Sequence, residues 1–131
     1  MLRRNFAQIE SQAGIAGLIF YRNLFNLDSS LRALFRSSIE LQARKLMESL
    51  SFTITSLEDP KTLVPALEAL GRRHATYGAR PEHYDTVTEA LLRTFSDVLR
   101  SSFTRKTRIA WKEALTFVTE TMKRGAARTE P

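Results

Sequence analysis

No stretch of this chain sustains the period-two alternation of a half-buried strand; between its few glycines and prolines, apolar residues recur every three or four positions. Packed helices are therefore the fold class the sequence admits. Gly14, Gly17, Pro60, Pro65, Gly71, Gly78, Pro81 and Gly125 punctuate the chain. A helix is predicted from about Ala13 to Leu27, with Ile15, Leu18, Ile19, Phe20, Leu24, Phe25 and Leu27 dense enough to be wrapped by others. Asp28 and Ser29 can cap a short turn through Leu31, Leu34 and Phe35, with a corner at Arg36 and Ser37. Ser37 to Glu40 reads as a capping box opening a helix whose stripe is Ile39, Ala43, Leu46, Met47, Leu50 and Ile54. Pro60 and Pro81 each fit a first helical turn. Thr104 caps a last helix through Ile109, Trp111, Leu115, Val118 and Met122, expected to fray from Lys123 into a flexible basic tail. The total is five substantial helices, without a sheet or an internal repeat.

At 131 residues, 43% of them apolar and eight of them Phe, the chain fits a single domain, residues 1–131 with a core of about 5–124. Having no cysteine, it is excluded from disulfide frameworks, thiol nucleophiles, iron–sulfur clusters and cysteine-bound zinc, which suits a reducing, cytoplasmic setting. The net charge of +6 comes from basic residues interleaved with 14 acidic ones, as on a solvated face rather than a nucleic-acid interface. Leu2-Arg3-Arg4 before the apolar run Ala13 to Tyr21 imitates a secretory leader, but Glu10 and Gln12 intervene and no small-residue cleavage site closes it. No segment approaches the ~20 apolar residues of a membrane span.

Only two histidines are available for metal or acid–base chemistry. Leu63, Leu67, Leu70 and His74 repeat at spacings of four, three and four, which puts the imidazole at the end of an apolar stripe facing the interior. A polar group there needs a partner: either a backbone carbonyl, or a metal or haem iron. His83, just after Pro81 in a first helical turn, suits a structural or surface role. Gln42 lies four residues before Leu46, at the edge of its helix's apolar stripe, and offers a neutral donor. Tyr21, three after Leu18 and four before Phe25, puts a phenol on a buried face, where plain aromatic packing is the alternative.

Taken in order, Phe20-Tyr21-Arg22-Asn23-Leu24-Phe25, Leu34-Phe35, Gln42-Ala43-Arg44-Lys45-Leu46-Met47, Leu70 through Gly78, His83-Tyr84, Leu91-Leu92 and Ala110-Trp111 resemble the single-domain bacterial globins. They are similar also to the haem domain of flavohaemoglobins and to neuroglobins, over about residues 5 to 124. The resemblance implies an all-α globin fold, three helices over three, with a short or partly missing first helix. It implies haem b held by His74 as proximal ligand, with Phe35 wedged against the macrocycle. Tyr21, Gln42 and Leu46 would face the bound gas, Lys45, Arg73 and Arg80 would approach the propionates, and Leu70, Tyr77, Tyr84 and Val87 would also contact the haem. Tyr84 matches a tyrosine that joins the proximal histidine and a final-helix glutamate in a hydrogen-bonded set. Here, however, the register from Trp111 puts Ala126 at the glutamate's position, and Glu120 comes too early.

The ligands so implied are oxygen, carbon monoxide and nitric oxide, in a monomer or weak homodimer. Two donors aimed at bound oxygen imply tight binding and slow release, which suits storage, scavenging or nitric oxide dioxygenation better than transport. No flavin or nicotinamide domain follows, so redox cycling is expected to need an external reductase. A haem-based gas or redox sensor and a haem-free interaction module of the same fold are the competing readings.

Overall fold

The computed structural model describes residues 1–35 and 37–128. Among these residues six α-helices form: α1 Leu2–Glu10, α2 Ala13–Leu27, α3 Ile39–Thr55, α4 Pro60–Thr76, α5 Pro81–Leu99 and α6 Arg105–Ala127. Short 3-10 turns at Ser29–Leu34 and Arg100–Ser102 join α2 to α3 and α5 to α6. Among the described residues there is no strand.

Local chemistry sets most of the boundaries. The Asp28 carboxylate accepts the Ser30 backbone N–H at 3.0 Å and so starts the first 3-10 turn. The Thr104 hydroxyl accepts from the Thr107 N–H at 3.2 Å and starts α6; such a cap contributes about 1 kcal/mol. Pro60 and Pro81 occupy first-turn positions of α4 and α5, where a missing N–H costs nothing. His83 has the structural role expected of it: its Nδ1 accepts the Arg80 backbone N–H at 3.0 Å, at the start of α5.

The helices stack in two layers, α1, α3 and α4 over α2, α5 and α6. The main contacts between layers are α3 on α2 and α4 on α6. The first is made close by Gly17, where a Cβ would collide with Ala43. The second is closer still: a Cβ on Gly71 would enter the backbone of Met122, and one on Gly125 the backbone of Glu68.

The core is correspondingly divided. A large cluster takes Phe6 and Ile9 from α1, Phe20 and Leu24 from α2, Ile54 from α3, Phe95 from α5 and Trp111 from α6. A small one holds Leu63 and Leu67 of α4 with Tyr84 and Met122. Leu57, in the corner between α3 and α4, packs against both.

Several expectations need correction. Residues 2–10 form a helix of their own, short as the resemblance implies, with Asn5, Phe6 and Ile9 buried at helical spacing. The Asn5 side-chain oxygen accepts from the Trp111 indole N–H at 3.2 Å, tying α1 to α6. In α2, Ile15 and Leu18 are exposed, at 60% and 46%. They share an outer stripe with Arg22, because Ala16, Gly17, Phe20 and Leu24 already take the inward face. Ile109 is turned outward in the same way by the buried Trp111 and Leu115. The cap of α3 is Ser38 rather than Ser37, accepting from the Leu41 N–H at 3.2 Å, so the box ending at Glu40 does not form. Arg36, half of the expected corner, lies outside the described residues. Nor does α6 fray at Lys123: it continues to Ala127, with Gly125 buried on α4 and Arg128 paired with Glu68 at 2.8 Å.

Candidate functional site

His74 sits two residues before the end of α4, and the interior orientation predicted for it holds only for the start of its stripe. Leu63 and Leu67 are each 1% exposed, Leu70 is half-buried and His74 is exposed. The reason is that α4 leans on α6 and shares no substantial contact with α3, which leaves its last turns without cover from that helix. Protein nevertheless crowds the ring. Desolvation lowers the imidazole pKa below its usual value, the bond to Leu70 works against that shift, and the Arg73 guanidinium adds to it.

The ring's orientation carries the chemistry. His74 Nδ1 lies 2.9 Å from the Leu70 carbonyl oxygen, one turn back. A carbonyl can only accept, so Nδ1 holds the proton and Nε2 keeps its lone pair. Nε2 makes no hydrogen bond to any described residue. A neutral imidazole fixed through one nitrogen and free at the other is how histidine is prepared to ligate a metal. The backbone carbonyl that sequence reasoning offered as one partner for the imidazole is that of Leu70, four residues before the histidine.

In α2, Tyr21 is 5% exposed and sits within an aromatic cluster. Its ring centroid lies 5.2 Å from Phe35 and 5.9 Å from Phe25, and Phe25 and Phe35 meet edge to face at 5.7 Å. The Arg32 guanidinium covers the other side of Phe25 at 5.2 Å. Tyr21 is one helical turn past Gly17, whose contact with Ala43 brings α3 alongside, so Gln42 and Leu46 flank the same crossing. Neither the Tyr21 hydroxyl nor the Gln42 amide bonds to a described side chain or carbonyl, and among the described residues no fully buried side-chain nitrogen or oxygen lacks a partner. Neither polar end is therefore fully buried. Burial pushes the Tyr21 pKa up to about 12, which keeps the phenol a donor.

The remaining predicted residues differ in their surroundings. Leu46, Phe35 and Val87 are half-buried against the large cluster, and Leu70 against the small one. Lys45, Arg73 and Arg80 are exposed and unpaired by any carboxylate of a described residue, and Tyr77 is 72% exposed at the end of α4. Tyr84 is buried, and burial raises its pKa. From α6 it meets the Lys123 ammonium, 5.9 Å from the ring centroid, and Glu120 is engaged with Lys123 at 3.5 Å.

This donor set suits one kind of metal group. Among the described residues, no three histidines or carboxylates cluster as a cage for a bare ion. A single free imidazole nitrogen fits a metal already held in a macrocycle, and the half-buried apolar side chains on either side suit a flat apolar ring system. The residues present therefore fit a haem. No helix of the described residues is long and apolar enough to cross a membrane.

Comparison with known proteins gives the same fold. The chain is 28% identical over 104 residues to a flavohemoprotein of Rhodopirellula baltica, covering 77% of this chain and 26% of that protein. It is 30% identical over 106 residues to a flavohemoprotein of Xylella fastidiosa, covering 79% of this chain and again 26% of the relative. The chain thus spans about a quarter of the length of these relatives. Among solved structures, a hexacoordinated heme protein from an anhydrobiotic tardigrade superposes with a TM-score of 0.88 at 17% identity, over 96% of this chain and 90% of that one. An engineered carbene transferase of Rhodothermus marinus, named for nitric oxide dioxygenase, superposes with a TM-score of 0.86 at 27% identity, over 97% of this chain and 89% of that one. The Globin family model matches residues 18–122, and the chain belongs to the globin family.

Proposed function

We propose that this chain is a haem-binding globin in which His74 Nε2 is the proximal ligand of haem b, and Tyr21 and Gln42 hold a diatomic gas, oxygen foremost, on the other side. The observation that carries the reading is the 2.9 Å bond from His74 Nδ1 to the Leu70 carbonyl, which leaves Nε2 free on a helix standing apart from α3. Haem supplies an iron whose open position accepts a diatomic ligand, and the surrounding side chains decide how long the ligand stays.

Each residue then has a defined task. The Leu70 carbonyl holds the imidazole in one tautomer and orientation. Leu46 excludes water beside the ligand, Phe35 wedges against the macrocycle, and Leu70 and Val87 add apolar contact to it. The Tyr21 hydroxyl and the Gln42 amide donate to the partial negative charge on oxygen, each bond contributing on the order of 1 kcal/mol. Lys45, Arg73 and Arg80 offer cations to the propionates, with Tyr77 beside them at the end of α4. Ala126 at the position where relatives are expected to carry a glutamate, with the Lys123 ammonium beside Tyr84, argues against an anionic His74 and for oxygen holding over peroxidase-like chemistry. Storage, scavenging and, with an external reductase, nitric oxide dioxygenation in the cytoplasm all fit slow release. The Rhodothermus marinus neighbour, named for nitric oxide dioxygenase, supports the last of these.

Absorption spectroscopy of the haem-reconstituted protein tests the reading. The parent should show a Soret band that shifts with oxygen and with carbon monoxide, and His74→Ala should lose the five-coordinate ferrous spectrum. Should His74→Ala take up haem and keep that spectrum unaltered, the ligand assignment fails.

A further inference from the structure

We propose that Gly71, Gly125, Glu68 and Arg128 are positioning residues for the His74 imidazole, acting on it through α4; this rests on His74 being the haem ligand. The helix that carries His74 is supported from one side. It packs on α6 and on no other helix to a comparable extent, and its small cluster draws Met122 and Val118 from α6 and Tyr84 from α5.

The support is backbone on backbone. Gly71 lies on Met122 and Gly125 on Glu68, so a step of three residues forward along α4 matches three back along α6, and the helices run antiparallel in contact. A side chain at either glycine would meet main-chain atoms, which cannot rotate aside. Gly71 is three residues before His74, on a neighbouring part of the helix surface, so the helix separation at Gly71 fixes how far the imidazole is carried toward α3. Beyond the second glycine, the Arg128 guanidinium reaches the Glu68 carboxylate at 2.8 Å, and the Glu68 side chain is only 15% exposed. Two backbone stops and one ion pair thus set the depth and tilt of α4. Close-packed contacts transmit displacement rather than absorb it, so a shift in the last turn of α6 carries His74 with it.

The test uses the haem-loaded protein and reads the iron–histidine stretching band of the ferrous unliganded form by resonance Raman, with haem loss to a scavenger globin as a second measurement. Gly125→Ala should shift the band and speed haem loss roughly tenfold, the low end of what outer partners of a metal ligand are worth. Arg128→Ala should produce a smaller shift, and Arg128→Lys should restore the parent band. Gly14→Ala, at a site with nothing within 4 Å of an added Cβ, should leave the band in place. If Gly125→Ala does not fold by circular dichroism, the Arg128→Ala and Arg128→Lys pair decides. A parent band that stays put in the folded variants overturns the positioning role while leaving His74 as ligand. A parent with no such band overturns both.

Discussion

The two walls of the site are built differently. Tyr21 and Phe35 stand on the large cluster, where α2 is pressed against both α3 and α5 and Leu24 is wholly buried. His74 stands on α4, which rests on one helix and a cluster of four buried residues. The wall that would discriminate among ligands is therefore part of the main core, whereas the wall that would hold iron is a strut docked onto it. Local stability differs across a protein in proportion to such packing. The strut should be the wall that adjusts.

Cavity-creating substitutions put that contrast to its hardest test. Leu24→Ala should cost about 2–5 kcal/mol in urea unfolding of the whole domain. Leu67→Ala removes the same atoms from a site equally sealed, at 1% exposure, but its cost should appear first as faster amide exchange confined to α4. If Leu67→Ala lowers protection uniformly along the chain, the two walls are one cooperative unit and the contrast is wrong.

Smaller effects sharpen the picture on the Tyr21 side. Tyr21→Phe and Gln42→Leu should each speed oxygen release by roughly tenfold in stopped-flow, since ~1.4 kcal/mol is a factor of ten; unchanged rates in both would remove these residues from the pocket. The Tyr21 pKa of about 12 lies above its ordinary 10.0, so the folded state holds the phenolic proton more tightly than the unfolded chain. The associated stability is complete below pH 10.0 and is lost as pH rises through about 12. The Tyr21 contribution to oxygen release should accordingly stay flat from neutral pH to about 10; a change in the parent that Tyr21→Phe abolishes would contradict a protonated donor. The smallest effect belongs to the surface: Arg3→Ala, which breaks an exposed 3.8 Å pair with Glu58, should shift stability by less than about 1 kcal/mol.

How much the sequence revealed depended on what kind of physics set each feature. Caps and proline positions follow from local chemistry, so the starts of α4, α5 and α6 were legible, and the His74 stripe followed from helical spacing. The exposure of His74 was not, because it depends on α4 docking to α6 and away from α3, a tertiary fact. The continuation of α6 past Lys123 was hidden for the same reason: Gly125 reads as a breaker until its contact with Glu68 is known. Ile15 and Leu18 show the converse error, since apolar density predicts burial only when neighbours exist on every side. Helix α1 did carry a signal in the spacing of Asn5, Phe6 and Ile9, obscured by the charged residues around it.

The bond between Asn5 and Trp111 spans 106 positions in sequence. A ribosome delivers the acceptor long before the donor, and a buried amide left waiting is costly. The nascent N-terminal segment therefore cannot settle into its final seat until residue 111 has emerged from the exit tunnel, so α1 docks only once α6 is there to receive it.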